Sequence, residues 1–287
     1  MGYLWRRLSS KCANAFAVNK VVSYLSPRQV GVGVRGGCEA AIHATRRFVS
    51  TMPQEHVCVK LDFSNAFNSI YRDCLLSCLD ELIPEISPFC HLAYAGTSTL
   101  QFGEFQIFSQ VGAQQGDPLG PLLFCLPLQK VLNNLSSPLV LSYLDDVTLA
   151  GPADFVSIDI RNLERECNSI GLRLNESKFE LIADRPFDTT PLNQFILVNP
   201  NKATLLGAPL SNSDALHDCL DACCSNLSLA FERLGLIDRH DALILLRSSL
   251  GSPKMIYLLR SSPCHGHPLL FKYDSSLHLT PASIFFT

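Results

Sequence analysis

The chain has 287 residues, of which 47% are hydrophobic and 17% are charged, and its formal net charge is −3. This length can bury a substantial core in one large or two modest domains, and so apolar a composition excludes a disordered chain. No uninterrupted apolar run reaches the roughly 18 residues that a membrane-spanning helix needs.

The charge is distributed unevenly along the chain. Residues 1–52 hold eight Lys or Arg and one acid, whereas residues 53–210 hold nine basic and 18 acidic residues. A basic segment followed by an acidic one is typical of a nucleic-acid contact surface beside a cation site, but also of an organelle transit peptide before a folded domain. Composition alone leaves both interpretations open.

The 12 cysteines do not predict a disulfide framework, because the chain is neither short nor led by a secretory signal. We expect reduced thiols in an intracellular protein, with a nuclear or a cytoplasmic location left open. A zinc site is an alternative for one group of residues near the C-terminus, although their spacing fits no standard zinc finger and buried helix cysteines with loop histidines explain it as well. These residues are Cys219, Cys223, Cys224, Cys264, His265 and His267.

The order of apolar patterns along the chain predicts an α+β fold, in which an antiparallel sheet is backed by helices. Glycine-rich and proline-containing stretches separate the elements. In chain order we predict helices at 3–26 and 38–51, a strand at 56–62, a helix at 74–83, a hairpin at 100–108, a helix at 119–135, a hairpin at 138–151, a helix at 153–170, strands at 172–174 and 179–182, a short hairpin at 203–210, helices at 213–235 and 240–250, and an irregular tail at 277–287.

Tyr143-Leu144-Asp145-Asp146 lies between two apolar, β-prone runs, which predicts a tight hairpin with its acids at the tip. Adjacent ionised carboxylates raise each other's pKa, and either a shared divalent cation or full solvation relieves the repulsion. If the strand that ends at Asp62 is a neighbour of this hairpin, three carboxylates meet in one small volume. Such a cluster suits Mg²⁺ or Mn²⁺ and a two-metal phosphoryl or nucleotidyl transfer. A solvated Asp-Asp turn is the alternative.

Three further features fit this chemistry, although each has a plainer explanation. Gln115-Gly116 offers an amide side chain and a backbone that a ligand can approach closely. The plainer explanation is that Gln115 is a solvated loop residue. Lys178 could neutralise or protonate a leaving pyrophosphate, or be an ordinary turn lysine. Phe67 could form an aromatic wall beside a nucleotide sugar, or be a core aromatic.

Five segments, in this order and with ordinary spacing, resemble the catalytic motifs of reverse transcriptases. The resemblance is closest to the enzymes of non-LTR, LINE-like retrotransposons, and it covers about residues 1–210. The segments are KLDFSNAFN at 60–68, QGDPLGPLLF at 115–124, YLDD at 143–146, GLRLNESK at 171–178 and LLGAPL at 205–210.

The resemblance implies RNA-templated DNA synthesis from an RNA template, a DNA primer and deoxynucleoside triphosphates. It implies two Mg²⁺ ions, for which Mn²⁺ could substitute, and it assigns roles to particular residues. Phe67 would screen the sugar 2′ position and so favour deoxynucleotides over the ribonucleotides of an RNA polymerase. The implied catalytic and metal-binding residues are Asp62, Asp145 and Asp146, the nucleotide-binding residues are Phe63, Phe67, Gln115, Gly116 and Lys178, and the primer grip is Leu206 and Gly207.

The resemblance also implies three domains: a partial, basic fingers region at 1–52, a palm at 53–210, and a partial thumb with an irregular tail at 211–287. Residues 1–52 then form a fingers surface, which favours nucleic-acid contact over a transit peptide. The family's triphosphate-binding Arg-Pro motif is not recognisable here, and we therefore expect a fragment of a longer element protein. A catalytically inactive remnant or a domesticated nucleic-acid-binding protein is the alternative function. We expect no membrane partner, and template specificity and oligomeric state are left open.

Overall fold

The computed structural model describes the backbone of residues 4–286 and the side chains of residues 4–280. The predicted start of the first helix at residue 3 and the predicted end of the tail at residue 287 lie outside the described residues. The chain divides into two compact units. The first comprises residues up to 41 together with 52–197, and the second comprises 42–51 together with the residues from 198 onwards.

The first unit is built on a five-stranded sheet with strand order β4-β5-β1-β6-β7, and β2 and β3 form a separate hairpin. The pairs β4–β5, β5–β1 and β1–β6 are antiparallel. In chain order, the strands are β1 (His56–Leu61), β2 (Ser98–Phe102), β3 (Phe105–Ser109), β4 (Leu139–Tyr143), β5 (Asp146–Pro152), β6 (Glu180–Ile182) and β7 (Ile196–Val198).

The central strand β1 is buried because sheet neighbours flank it on both edges and helices cover it. Val57, Cys58 and Val59 are all 0% exposed. Lys60 interrupts the apolar run, and its ammonium is paired with Glu180 of the neighbouring strand β6 at 2.7 Å. The sheet therefore accepts a charged residue on β1 only where an opposite charge lies across from it.

Seven helices accompany this sheet among the described residues. Helix α7 packs on β5 and β1, and α6 packs against α1, α4 and α7. Because α6 is surrounded over most of its length, it is apolar up to Leu128 and polar only towards its C-terminal end, and Pro127 lies inside it without ending it. The helices are α1 (Leu4–Leu25), α2 (Gly37–Ser50), which spans both units, α3 (Ala66–Ser69), α4 (Arg72–Leu82), α5 (Ser87–Tyr94), α6 (Gly120–Asn133) and α7 (Ala153–Ser169).

The second unit contains a two-stranded hairpin and a group of helices with its own apolar core. A π-helical turn at Leu246–Leu250 joins two of the helices. The elements are β8 (Thr204–Leu205), β9 (Ala208–Pro209), α8 (Asp214–Leu234), α9 (Arg239–Leu245), α10 (Ser252–Ser261) and α11 (Pro268–Phe286).

The antiparallel sheet with its helices confirms the predicted α+β class, but two local predictions are wrong. The predicted irregular tail is helical, because Leu269, Tyr273 and Leu277 recur at helical spacing and pack on the core of the second unit. The predicted strand at 172–174 forms only an isolated bridge between Leu174 and Phe63. No helix in the described part of the chain is long and apolar enough to cross a membrane.

A buried carboxylate fixes the connection from α6 to β4. Asp159 on α7 is 1% exposed. It accepts hydrogen bonds from the backbone N–H groups of Ser136 and Ser137, at 2.9 and 2.6 Å, and from the Ser137 hydroxyl at 2.6 Å. Because this connection leads directly into β4, Asp159 determines where the acid-bearing hairpin begins.

We predict that Asp159→Asn lowers the free energy of unfolding by about 2–3 kcal/mol, because an amide N–H₂ then faces buried N–H donors. Urea unfolding followed by circular dichroism measures this. Asp154→Asn, on the exposed side of the same helix, is the matched control and should cost less than about 1 kcal/mol. Equal losses in the two variants would contradict a structural role for the buried carboxylate.

Candidate active site

The pairing of β1 with β5 brings the predicted acids to one end of the sheet. The register pairs His56 with Pro152 at one end and Leu61 with Val147 at the other. Asp62 follows Leu61 and Asp146 precedes Val147, so the two acids occupy facing positions just beyond the last pair. The two strands are therefore neighbours, as the sequence analysis required for the three acids to meet.

The hairpin between β4 and β5 turns on two residues, Leu144 and Asp145, because Tyr143 pairs with Asp146. Leu144 has a φ of +59°, which is unfavourable for a residue with a branched side chain. Asp145 therefore lies at the tip, as predicted, while Asp146 is the first residue of β5. The tip needs external support to keep this conformation.

The protein environment disfavours the charged form of both hairpin acids. Burial raises the pKa of Asp145, and the negative charge of Asp62 adds to the rise. The pKa of Asp146 is raised because the neighbouring protein atoms partly desolvate its carboxylate, and the negative charges of Asp145 and Asp62 raise it further. Asp146 is nevertheless solvent-exposed, and the nearby Lys60 and Lys178 lower its pKa, so the rise is moderated there. A bound cation would relieve this repulsion.

Lys178 supplies a positive charge on the Asp62 side of the cluster. Its Nζ lies 2.9 Å from Asp62 Oδ2, and this contact raises the pKa of Lys178. Asp62 Oδ2 is itself buried, and apart from this ion pair it has no hydrogen-bond partner among the described residues. The Lys178 side chain is 65% exposed and can therefore move away from Asp62.

The backbone on either side of Phe63 is hydrogen-bonded to the segment that follows α7. The Asn175 N–H donates to the Asp62 carbonyl at 2.9 Å, and the Ser64 N–H donates to the Arg173 carbonyl at 2.8 Å. These bonds take the place of the strand predicted at 172–174. They also connect Asp62 to the turn that carries Lys178.

The three acids are the residues here that could hold a divalent metal ion. Carboxylate oxygens are hard ligands, and Asp62 Oδ2 is a buried acceptor that lacks a hydrogen bond within the described residues. No three His, Cys, Asp or Glu side chains of residues 4–280 lie close enough together to enclose an ion.

Phe67, on α3, is tied to the loop that carries Gln115. Its ring stacks on Phe124 of α6 with centroids 4.4 Å apart, and its carbonyl accepts a 2.7 Å hydrogen bond from the Ala113 N–H. Phe67 is only partly buried, so part of this residue is accessible to solvent. Phe63 is 4% exposed and packs in the core of the first unit.

Gln115 and Gly116 are both exposed at the start of the loop before α6. Gly116 has a φ of +85°, which explains the glycine, and no other group lies within 4 Å of where a Cβ would be. The open backbone at Gly116 is thus accessible to a ligand. Asp117 closes the loop: it accepts the Tyr94 hydroxyl at 2.9 Å and the Leu119 N–H at 3.0 Å.

Leu206 and Gly207 form the turn of the β8–β9 hairpin in the second unit, with φ values of +49° and +78°. The Tyr257 hydroxyl donates to the Leu206 carbonyl, and Arg46 donates to the Pro209 carbonyl at 2.5 Å. Burial lowers the pKa of Arg46. The turn is therefore held in a left-handed conformation by side chains from helices of the same unit.

Comparison with known proteins identifies the family. A family model described as reverse transcriptase (RNA-dependent DNA polymerase) matches residues 4–210. The chain belongs to the reverse transcriptase family. This confirms the resemblance of the five motifs, and members of this family use divalent metal ions.

A retrotransposon protein and a telomerase are similar to this reverse transcriptase. The retrotransposable element SLACS 132 kDa protein of Trypanosoma brucei gambiense is 28% identical over 200 residues, which are 65% of this chain and 16% of that protein. The structure of apo telomerase from Candida tropicalis has a TM-score of 0.50 and 13% identity, covering 97% of this chain and 55% of that one. The second likeness shows the fold alone, and it confirms a palm-like sheet.

Sequence reasoning missed one residue of this reverse transcriptase site. Gln29 is 0% exposed, and its side-chain amide bonds the backbone of Leu144, immediately before Asp145. A single glutamine between a proline and a glycine-rich loop carries no periodicity or charge signal. Only the folded chain reveals the contact.

We predict that Asp145→Asn raises the melting temperature at pH 7.5 in EDTA. A raised carboxyl pKa means that the folded state binds the proton more tightly than the unfolded chain. The ionised carboxylate therefore lowers stability at neutral pH, and the gain from Asn should vanish as the pH falls below the ordinary carboxyl pKa of about 4. Thermal melts from pH 8 to pH 3.5 measure this.

The exposed Asp188, replaced by Asn, is the control for the change in net charge and should show no such gain. A gain for Asp145→Asn that is the same at every pH would contradict the electrostatic explanation. So would a loss of stability at pH 7.5.

Proposed function

We propose that this chain synthesises DNA on an RNA template, as the reverse transcriptase core of a mobile element. The observation that carries the proposal is the convergence of Asp62, Asp145 and Asp146 through the antiparallel pairing of β1 with β5. The substrates would be an RNA template, a DNA primer and deoxynucleoside triphosphates. The chain spans 16% of the length of the retrotransposon protein that it matches. The activity of a whole element protein is therefore also part of this proposal.

Asp62 and Asp145 would hold two Mg²⁺ ions, with Asp146 supporting them. Mg²⁺ is favoured because all three ligands are carboxylates and because this ion binds through a few carboxylates plus substrate phosphates. When bound, such a pair of ions stabilises the attacking and the leaving oxygen of an in-line displacement. The protein's own contribution would be to hold the acids at one end of the sheet, where their mutual repulsion favours the binding of cations.

Lys178 would exchange partners during the reaction. In the conformation described, its Nζ is paired with Asp62. With Asp62 serving as a cation ligand, the exposed Lys178 side chain would be free to reach a phosphate oxygen. There it would neutralise the leaving pyrophosphate or give it a proton.

The incoming nucleotide would lie beside Phe67, Gln115 and Gly116. The Phe67 ring would oppose a sugar 2′-hydroxyl, while the amide of Gln115 and the open backbone at Gly116 would contact the nucleotide and template. The Phe63 backbone would border the triphosphate. Support for a common site comes from the hydrogen bond between Ala113 and Phe67, which links the two segments.

The functional division that fits these roles is fingers at 1–52, palm at 53–210 and thumb at 211–287. The turn at Leu206 and Gly207 would contact the primer end as a primer grip. Its left-handed backbone and the anchors from Tyr257 and Arg46 support a turn of fixed shape. A rigid turn suits the positioning of a primer terminus better than a mobile loop does.

We predict that Asp62→Asn and Asp145→Asn each lower DNA synthesis by about 10³-fold or more, because each removes a ligand whose ion contributes several kcal/mol to the transition state. Mg²⁺-dependent extension of oligo(dT) on poly(rA) measures this. Asp188→Asn makes the same change at an exposed site and should retain full activity. No extension by the unmodified chain above that of Asp145→Asn would favour a folded remnant that binds nucleic acid without synthesis.

We predict that Phe67→Val increases the use of ribonucleotides relative to deoxynucleotides by about 10- to 200-fold, the range that one steric contact in a pocket supplies. The smaller side chain would leave room for the 2′-hydroxyl. Competition between dGTP and GTP on a poly(rC) template measures the ratio within one preparation, which cancels any loss of folded protein. An unchanged ratio would remove the proposed selectivity role.

A further inference from the structure

The side chain of Gln29 is completely buried and uses its full hydrogen-bonding capacity. Its Oε1 accepts from the N–H groups of Leu144 at 2.8 Å and Gly31 at 2.9 Å. Its Nε2 donates to the Leu144 carbonyl and to the Ser142 hydroxyl, both at 3.0 Å. An amide side chain has two donor hydrogens and two acceptor lone pairs, so each is satisfied.

Two of these bonds hold both backbone groups of Leu144. This residue has a φ of +59°, a conformation that non-glycine residues avoid, and it directly precedes Asp145. As a member of the two-residue turn, Leu144 makes no ladder hydrogen bonds to a neighbouring strand. The Gln29 amide takes the place of the missing strand neighbour.

The segment that carries Gln29 is itself fixed beside the hairpin. The Ser142 N–H donates to the Arg28 carbonyl at 2.7 Å, and the Val30 N–H donates to the Ser142 carbonyl at 2.9 Å. Gly31 follows, and a Cβ at that position would lie 2.6 Å from the Leu144 nitrogen, so only glycine permits this approach. Arg28 donates to the carbonyls of Leu132 and Leu135, which ties the segment to the end of α6.

We propose that Gln29 is a positioning residue for the reaction, which holds the Leu144-Asp145 turn in the orientation that binds divalent metal. Gln29 does not touch the acids. It acts through Leu144, by keeping a strained turn in one conformation. The part of the proposal that concerns metal rests on the proposed function, whereas the part that concerns the rigidity of the turn does not.

The variant Gln29→Met tests the proposal, because methionine has a similar length and no amide. A buried glutamine elsewhere provides the matched control. Gln129 on α6 is 1% exposed, and its side-chain amide donates within its own helix to Asn133 at 2.8 Å, its one side-chain hydrogen bond to the described residues. Gln129→Met thus removes a buried amide of the same unit without touching the hairpin.

The first measurement is hydrogen exchange by mass spectrometry, with peptides that isolate the Leu144 amide. The N–H of Leu144 donates to Gln29, so Gln29→Met should speed its exchange by about tenfold or more, as expected when a protecting contact is lost. Gln129→Met should leave that amide unchanged. This measurement needs neither metal nor substrate, so it separates the role of Gln29 from the polymerase activity.

The second measurement is Mn²⁺ binding to the free protein, followed by electron paramagnetic resonance. Gln29→Met should weaken Mn²⁺ binding by about 10- to 100-fold, the usual effect of removing a group that orients a metal ligand. Gln129→Met should bind Mn²⁺ as the unmodified chain does, even if its melting temperature falls. Asp145→Asn, which lacks one of the proposed metal ligands, gives the electron paramagnetic resonance signal expected when Mn²⁺ does not bind at the acids.

Gln29→Glu gives a test that does not depend on the folding of the methionine variant. It keeps the shape, but an ionised carboxylate would repel the Leu144 carbonyl, whereas a protonated one could donate to it. Protection of the Leu144 amide, relative to the unmodified chain at the same pH, should therefore be lost at about pH 8 and regained towards about pH 5.5, because burial favours the neutral acid.

The proposal is overturned if Gln29→Met changes Leu144 exchange and Mn²⁺ binding by less than about twofold, since such a variant would show that the amide only adds stability. Loss of Leu144 amide protection in Gln29→Glu that does not recover towards about pH 5.5 would overturn it too. If the unmodified chain binds Mn²⁺ as described but does not extend a primer, the proposed function fails and the positioning role of Gln29 remains.

Discussion

The antiparallel pairing of β1 with β5 is the constraint on which the site depends. It joins a strand that ends in Asp62 to a hairpin that begins its return strand with Asp146, and its register runs from His56–Pro152 to Leu61–Val147. Since side chains alternate between faces, a slip of one residue would move Val57, Val59 and Leu61 off the face that packs in the main core and bring Lys60 onto it. The core therefore fixes the register, and the register fixes where the acids meet.

The site concentrates features that lower stability. Two carboxylates with raised pKa values lie beside a third acid, and the turn that carries Asp145 contains a non-glycine residue with positive φ. Strain and like-charge repulsion of this kind persist only where surrounding structure holds them in place. Here that structure consists of the Lys178 ammonium, the backbone bonds to Asp62, and the buried amide of Gln29. The Lys178 ammonium offsets negative charge, whereas the backbone bonds and the Gln29 amide fix the positions of Asp62 and of the turn before Asp145.

Fold and function rest on different observations in this chain. The likeness to telomerase at 13% identity shows a palm-like sheet, and a sheet of this kind does not by itself specify chemistry. The family match over residues 4–210 identifies a reverse transcriptase. What connects family to mechanism is the site itself, where the proposed nucleotidyl transfer would use the acids, Lys178 and Phe67. Their individual roles are proposals that the chemistry of the side chains supports.

The sequence by itself determined the order of the elements, the α+β class and the family, because apolar periodicity and short motifs are local properties. It also placed Asp62 at the end of a strand and Asp145 at the tip of a hairpin. The tertiary structure alone decided that these strands are neighbours, since pairing between distant segments leaves no local signal. It alone revealed Gln29, a neutral residue whose importance lies entirely in its contacts, and the helical tail, whose apolar residues become ordered by packing in the second unit. Local patterns specified the parts, and burial and long-range hydrogen bonds assembled them into a site.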